Sequence, residues 1–296
     1  MPNEPYDIHV PVLLQEVLGC LDPKSGQSYL DLTAGYGGHF AAILERTAAP
    51  DKAVLVDRDD NAVQALRKRF GDSIDIRHTE FLSALELLAS EGRQFDMILA
   101  DLGVSSPHIE DSERGFSFKQ AGPLDMRMDR RQAVSAADLV NGASTDELKR
   151  ILTRYGEEPH AARIANAIAA ARPINDTAEL AAIIARAAGF KARHGKIHPA
   201  TKSFQAIRIA VNQELDQLQR GLPLMLDLLS PGGRLAIISF HSLEDRIVKQ
   251  FLAEHSGKGY DAEMELLTKK PISASHEEIV SNPRARSAKL RASRKK

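Results

Sequence analysis

At 296 residues, with 43% apolar and 27% charged side chains, the chain can bury a sizeable core as one large domain or two modest ones. It has no apolar run of membrane length and no signal-peptide pattern at its polar N-terminus, so a cytoplasmic protein with no membrane partner is expected. The single cysteine, Cys20, excludes an internal disulfide and reads as a small buried residue, while ten histidines without H-E-x-x-H or paired spacing give no metal site.

In chain order, short apolar runs at residues 29–33, 53–56, 74–77 and 97–100 predict buried strands. Helical spacing at 40–47, 61–70 and 82–90 separates them, and this alternation is the mark of a parallel sheet. The first strand runs into Tyr29-Leu-Asp-Leu-Thr-Ala-Gly-Tyr-Gly-Gly-His-Phe40, and the second ends in Asp57. A strand, a glycine-rich turn, a helix and a second strand ending in a carboxylate describe a mononucleotide-binding half of a doubly wound sheet. Asp57 is placed to accept hydrogen bonds from ribose hydroxyls. A dinucleotide fingerprint requires a third glycine where this chain has Phe40, and no Gly-Lys-Ser/Thr follows for a phosphate loop. An adenosine ligand without phosphates fits better, and S-adenosylmethionine is such a ligand.

From about Ser112 the alternation stops, and helical patterns follow at 135–141, 145–154, 160–171 and 177–188. Ser144-Thr-Asp-Glu147 and Asp176-Thr-Ala-Glu179 supply N-terminal caps, and Pro173 and Gly189 punctuate the ends. Residues 113–202 are therefore expected to form a helical insertion, a substrate-recognition subdomain, between strands 4 and 5. The core would comprise residues 1–112 and 203–296. Phe204, Ile207, Val211, Leu215, Leu218, Leu222, Met225 and Leu229 then recur at helical spacing, with a break or kink expected at Pro223. The run from Ser230 to Phe240 is a turn feeding a fifth strand.

The net charge of -1 hides an uneven distribution. Residues 281–296 carry Arg284, Arg286, Lys289, Arg291, Arg294, Lys295 and Lys296 without an acid, a tail suited to a polyanion. A second basic stretch, Lys191-Ala-Arg-His-Gly-Lys-Ile-His198, reads as a loop with further phosphate contacts.

Ligands of open parallel sheets sit beyond the carboxyl ends of the strands, which brings together the glycine turn, Asp57, the Phe81 region and Asp101-Leu-Gly-Val-Ser-Ser-Pro107. Asp101 ends an apolar run where a carboxylate has no reason to be unless it caps, pairs or binds something. It is the candidate catalytic residue. An exocyclic amine on a nucleobase has its lone pair delocalised into the ring, and accepting its N–H hydrogens at Asp101, or at the Leu102 and Gly103 carbonyls, rehybridises nitrogen for attack. Phe116 and Phe118 in Arg114-Gly-Phe-Ser-Phe118 read equally as a stacking platform for a base and as core residues. Gly122-Pro-Leu-Asp-Met-Arg-Met-Asp-Arg-Arg131, with Asp125, and Phe240-His-Ser-Leu-Glu-Asp-Arg246, with His241, are candidate substrate-side clusters that could equally be salt-bridged scaffold.

Taken with His9-Val-Pro-Val-Leu-Leu14, Gly37-Gly-His39, Asp57-Arg-Asp59 and Phe204-Gln-Ala-Ile-Arg208, these motifs closely resemble the bacterial small-subunit ribosomal RNA cytosine-N4 methyltransferase family, from the N-terminus to the basic tail. The resemblance implies an α/β fold, a class I S-adenosylmethionine-dependent methyltransferase core (Rossmann-like, mostly parallel sheet) with an inserted helical subdomain. It further implies methylation of the exocyclic N4 of a cytidine in the decoding region, with the small ribosomal subunit as partner. By position, the family's S-adenosylmethionine contacts fall on Gly37, Gly38, His39, Asp57, Phe81, Asp101 and His108. Where the family often carries glutamine, this chain has His108, which keeps a donor or acceptor there. Two alternatives stand beside this reading. A DNA amino methyltransferase would carry Asp/Asn-Pro-Pro-Tyr/Phe where this chain has Asp101-Leu-Gly-Val104, and a non-catalytic RNA-binding assembly factor would bind RNA without methyl transfer. Monomer and homodimer both remain open.

Overall fold

The computed structural model describes residues 11–189, 198–257 and 262–296. Within it the chain forms two compact units, one of Met1–Gly103 and Leu215–Lys296, the other of Val104–Glu214.

The first unit is built on a seven-stranded sheet of order β3-β2-β1-β4-β5-β7-β6. Its strands are β1 (Tyr29–Asp31), β2 (Ala53–Asp57), β3 (Asp75–His78), β4 (Phe95–Asp101), β5 (Leu229–Ser239), β6 (Met264–Leu266) and β7 (Lys289–Lys295). β1 to β5 pair in parallel, whereas β7 runs antiparallel to both β5 and β6. This is the class I methyltransferase core expected from the sequence. Central strands read as continuous apolar runs because helices cover both faces. On one face Leu30, Val56, Ile98, Ala100 and Ile237 pack against Leu85, Leu88, Leu222 and Met225. On the other, Tyr29, Leu55, Met97, Leu99 and Ile238 pack against Leu13, Val17, Phe40, Ile43 and Leu66.

The helical unit has its own core, in which Leu148, Leu152, Ile164, Ile168, Leu180 and Ile184 meet Phe204, Ile207 and Val211. Ser144 and Asp176 cap their helices by accepting from Glu147 N and Glu179 N, as the sequence indicated. The insertion between β4 and β5 is present, but the Ala200–Asn212 helix, assigned to the core by the boundary at 203, packs in the helical unit. Its apolar stripe has the Thr145–Gly156 helix as a partner. The break in the long stripe also differs from expectation. It falls at Gln213, in the left-handed conformation at φ 51°, whereas Pro223 lies inside the Glu214–Leu228 helix.

The basic tail is ordered: Lys289–Lys295 is β7, a strand with a neighbour on each side. Leu290 and Ala292 alternate into the core, and the cations between them find fixed partners. Arg291 Nε donates to Asp245 Oδ1 at 2.7 Å and Lys289 Nζ to Asp245 Oδ2 at 3.3 Å. Arg294 pairs with Glu265 at 2.6 Å, and Lys295 and Lys296 donate to the Leu226 and Gly257 carbonyls. Burial alone would raise the Asp245 carboxyl, yet the Arg291 guanidinium holds it below the usual carboxylate range. In the second basic stretch, residues 191–197 lie outside the described residues, as do His9 and Val10.

Candidate functional site

The parallel strands β1, β2 and β4 end in Asp31, Asp57 and Asp101, and the C-terminal edge of the sheet in the first unit is consequently acidic. After β1 the chain turns through Gly35, at φ 52°, where an added Cβ would meet nothing closer than 4.0 Å. That open side is where a ligand can lie on bare backbone. Gly37 and Gly38 serve a different purpose. A Cβ on Gly37 would collide with the Phe70 ring, and one on Gly38 would stand 2.5 Å from Pro11 Cγ. These two glycines let the turn seat against its own protein.

Asp57 holds the turn from the neighbouring strand. Its Oδ2 accepts from Gly35 N at 2.8 Å and its Oδ1 from Asp59 N at 2.8 Å. A carboxylate oxygen carries two lone pairs and can accept more than one hydrogen bond, which makes this residue type suited to ribose hydroxyls. Phe81 opens the helix Phe81–Ser90, and its ring packs against the backbone of Gly221, where an added Cβ would come within 2.9 Å of Cε2. It is a strut under the edge.

The register of β1 on β4 sets Asp31 opposite Leu99, on the face that carries Asp101. Asp31 is 2% exposed and receives two hydrogen bonds, from Tyr29 Oη at 2.8 Å and from Thr33 N at 3.2 Å. Burial nevertheless pushes its carboxyl up to about 7. Among the described residues Asp101 has no such donors. Its Oδ1 is buried without a hydrogen-bond partner, and its Oδ2 lies 3.9 Å from His39 Nδ1, too far for a bond. Burial raises the Asp101 carboxyl well above its ordinary value, and Asp31 and Glu244 add to this because both are acids.

His39 is buried, and its Nε2 lies 3.0 Å from the Val12 carbonyl. A carbonyl only accepts, so Nε2 carries the hydrogen and Nδ1 presents a lone pair toward Asp101. Burial lowers the imidazole to about 4, and the ring is neutral at physiological pH. Beyond β5, His241 caps the Ser242–His255 helix by accepting from Glu244 N at Nδ1, and Glu244 Oε2 accepts in return from His241 N at 3.2 Å and from Phe240 N at 2.8 Å. Helix initiation thus uses His241 Nδ1, while its buried Nε2 lies 3.1 Å from Glu244 Oε1 and has no hydrogen-bond partner among the described residues.

Gly37, Gly38, His39, Asp57, Phe81, Asp101 and His241 belong to the first unit, and His108, Phe116, Phe118 and Asp125 to the second. In the second unit His108 Nδ1 meets Ser105 Oγ at 2.9 Å, and its ring lies 5.0 Å from that of Phe116. Phe118 lies between His198 and Phe204, with ring centroids at 4.6 and 4.9 Å; it is half-buried against the helical core, while His198 is exposed. Asp125 pairs with Arg127 Nε at 2.7 Å, which overrides the upward pull of burial on its carboxyl. The cluster around it knits backbone together: Met126 N donates to Arg114 O, Ala136 N to Asp125 O and Thr177 N to Gly122 O. The scaffold reading of Gly122–Arg131 accounts for these contacts.

Three contributors were not singled out from sequence. Asp31 was read as part of a fingerprint, Tyr29 as an apolar strand residue, and Glu244 as one member of a motif. Asp31 had a legible signal, a carboxylate inside an apolar strand, the same signal that marked Asp101.

A model of the MraW methylase family matches residues 7–296. Among curated relatives, a protein of Cyanothece sp. named ribosomal RNA small subunit methyltransferase H is 50% identical, covering 97% of this chain and 95% of its own length. One of the same name from Nitratidesulfovibrio vulgaris is 48% identical, covering 97% and 86%. A solved structure of the N-methyltransferase NodS from Bradyrhizobium japonicum with S-adenosyl-L-homocysteine aligns over 99% of this chain and 89% of its own, at 9% identity and a TM-score of 0.44.

Proposed function

The chain belongs to the MraW methylase family, and from that premise we propose that it transfers a methyl group from S-adenosylmethionine to the exocyclic N4 of a cytidine in small-subunit ribosomal RNA. The observation that carries the chemistry is Asp101, a carboxyl at the end of β4 whose buried Oδ1 has no hydrogen-bond partner among the described residues. A native fold leaves a buried acceptor unpaired at a cost of about 1–3 kcal/mol, which a bound donor recovers.

The residues at the sheet edge suit S-adenosylmethionine. Asp57 would hold the ribose hydroxyls, and the turn around Gly35 offers backbone for close approach. Gly37, Gly38 and His39 shape the turn from behind. When bound, the cofactor supplies an electrophilic methyl group on a sulfonium. Asp101 then accepts an amine hydrogen from the cytosine, draws the nitrogen lone pair out of conjugation with the ring and fixes its direction of attack. His39 stays neutral and lends no competing cation. His108 would offer the cofactor a ring nitrogen, and Phe116, Phe118 and Asp125, on the inserted helical unit, act for substrate recognition chiefly by holding that unit's loops in shape.

Incubation of the protein with methyl-labelled S-adenosylmethionine and immature small subunits, naked ribosomal RNA or DNA tests this reading. Label is expected in subunits or their RNA, and mass mapping should place it on cytosine N4. Label on C5, label only in DNA, or cofactor binding without any transfer would each overturn it.

A further inference from the structure

The groups facing Asp101 raise a question about its charge. From β1, Asp31 stands on the same face, and Tyr29 Oη and Thr33 N both donate to it, so Asp31 is the better stabilised anion of the two. Asp57 on β2 acts in turn on Asp31. From the helix after the glycine turn comes His39, neutral, with the Nδ1 lone pair 3.9 Å from Asp101 Oδ2. From the helix after β5 comes Glu244, buried and acidic. Asp101, a quarter of whose side chain stays exposed, is thus faced by two acids and a lone pair, and among the described residues its buried Oδ1 receives no hydrogen.

A protonated carboxyl is a poor acceptor for an amine hydrogen. The proposed chemistry requires the carboxylate, and a positive charge at the strand edge would favour it. We propose that Asp101 is protonated in the empty protein, releases that proton to solvent when the cationic sulfonium of the methyl donor binds, and takes a proton back from the substrate amine during transfer. The balance closes. Binding converts the Asp101 carboxyl to carboxylate plus a solvent proton. In transfer the amine nitrogen bonds to the methyl carbon, the carbon–sulfur bond breaks with its electron pair going to sulfur, and an amine proton passes to Asp101. The product sulfur is neutral, so the reprotonated Asp101 faces no cation and matches the state of the empty protein. Cofactor charge thereby strengthens the acceptor, and an amine arriving before the cofactor finds a neutral carboxyl, a weaker acceptor than the carboxylate.

The inference rests on the proposed S-adenosylmethionine reading, and one titration separates the two. Binding of S-adenosylmethionine and of S-adenosylhomocysteine, which differ in the charge on sulfur, is measured by calorimetry in two buffers of unlike ionisation enthalpy at about pH 7.5. The sulfonium is expected to release about one proton more than the thioether, and its affinity relative to the thioether should rise about tenfold per pH unit while Asp101 is protonated in the free protein. In Asp101→Asn the difference in protons should vanish, with thioether binding as the check that the site is intact. Equal proton counts for the two ligands, or a difference that survives in Asp101→Asn, overturns the proton switch and leaves the cofactor reading standing. Binding of neither ligand would remove both.

Discussion

Replacing Asp31 with asparagine should make the protein more stable at high pH, against the usual expectation for a loss of buried hydrogen bonds. Burial holds the Asp31 carboxyl at about 7 in the folded chain, against about 3.9 when unfolded. Between those values the native state binds a proton that the unfolded state does not, so wild-type stability from this group falls as pH rises through the window and levels off above about 7. At about 1.4 kcal/mol per unit, ionising Asp31 costs the fold at most about 4 kcal/mol. Asparagine keeps a carbonyl oxygen for one of the two donors, Tyr29 Oη or Thr33 N, and does not titrate. Near pH 4 the two proteins should therefore agree within about 1 kcal/mol, and by about pH 8 the variant should lead by up to about 4 kcal/mol. His39, which loses its proton near pH 4 in the fold and contributes in the opposite sense, titrates in both proteins and cancels from the difference. Urea denaturation of both proteins across this pH range gives the comparison directly. A stability gap that stays constant with pH, or moves in favour of wild type as pH rises, refutes the assignment of a buried, proton-binding Asp31.

Truncation before Lys289 should abolish the cooperative unfolding transition, because it leaves β5 and β6 without the strand between them. A retained cooperative melt would mean that β7 is dispensable. Arg291→Met should destabilise by about 3 kcal/mol at neutral pH by stripping the buried Asp245 of its closest cation, and denaturant midpoints with and without the change would show it. For Gly37→Ala, the positive φ and the Phe70 ring together predict a loss of roughly 2–4 kcal/mol, while Gly35→Ala, where the space is open, should cost less stability and more S-adenosylmethionine affinity. Asp57→Ala should raise the Kd for S-adenosylmethionine at least about tenfold, since it removes a ribose acceptor and the anchor of the turn; calorimetry that finds unchanged affinity would exclude Asp57 from the site.

Much of the sheet was legible because its cause is local. Residues 53–56 and 97–100 are apolar without interruption, which follows from burial on both faces, and the glycine turn and the capping residues Ser144 and Asp176 announce themselves by residue type. The tail misled for a related reason. Cations at Lys289, Arg291, Arg294 and Lys295 masked the period-two signal of Leu290 and Ala292, and nothing local reveals that Asp245 and Glu265 are waiting for them. Gln213 likewise gives no sign that the chain turns there, whereas Pro223 gives a sign that the Glu214–Leu228 helix overrides.

At the site, the sequence by itself determined which carboxylates end which strands, because strand period and turn chemistry are written in neighbouring residues. Whether such a carboxylate is charged is a different matter. Asp31, Asp57 and Asp101 look alike in the chain, yet backbone N–H groups occupy both oxygens of Asp57, Tyr29 and Thr33 share Asp31, and Asp101 is left with acids and a lone pair. Only the tertiary structure decided this, since burial and the field of neighbours brought from distant segments set the energy of ionisation, and neither is a property of local sequence.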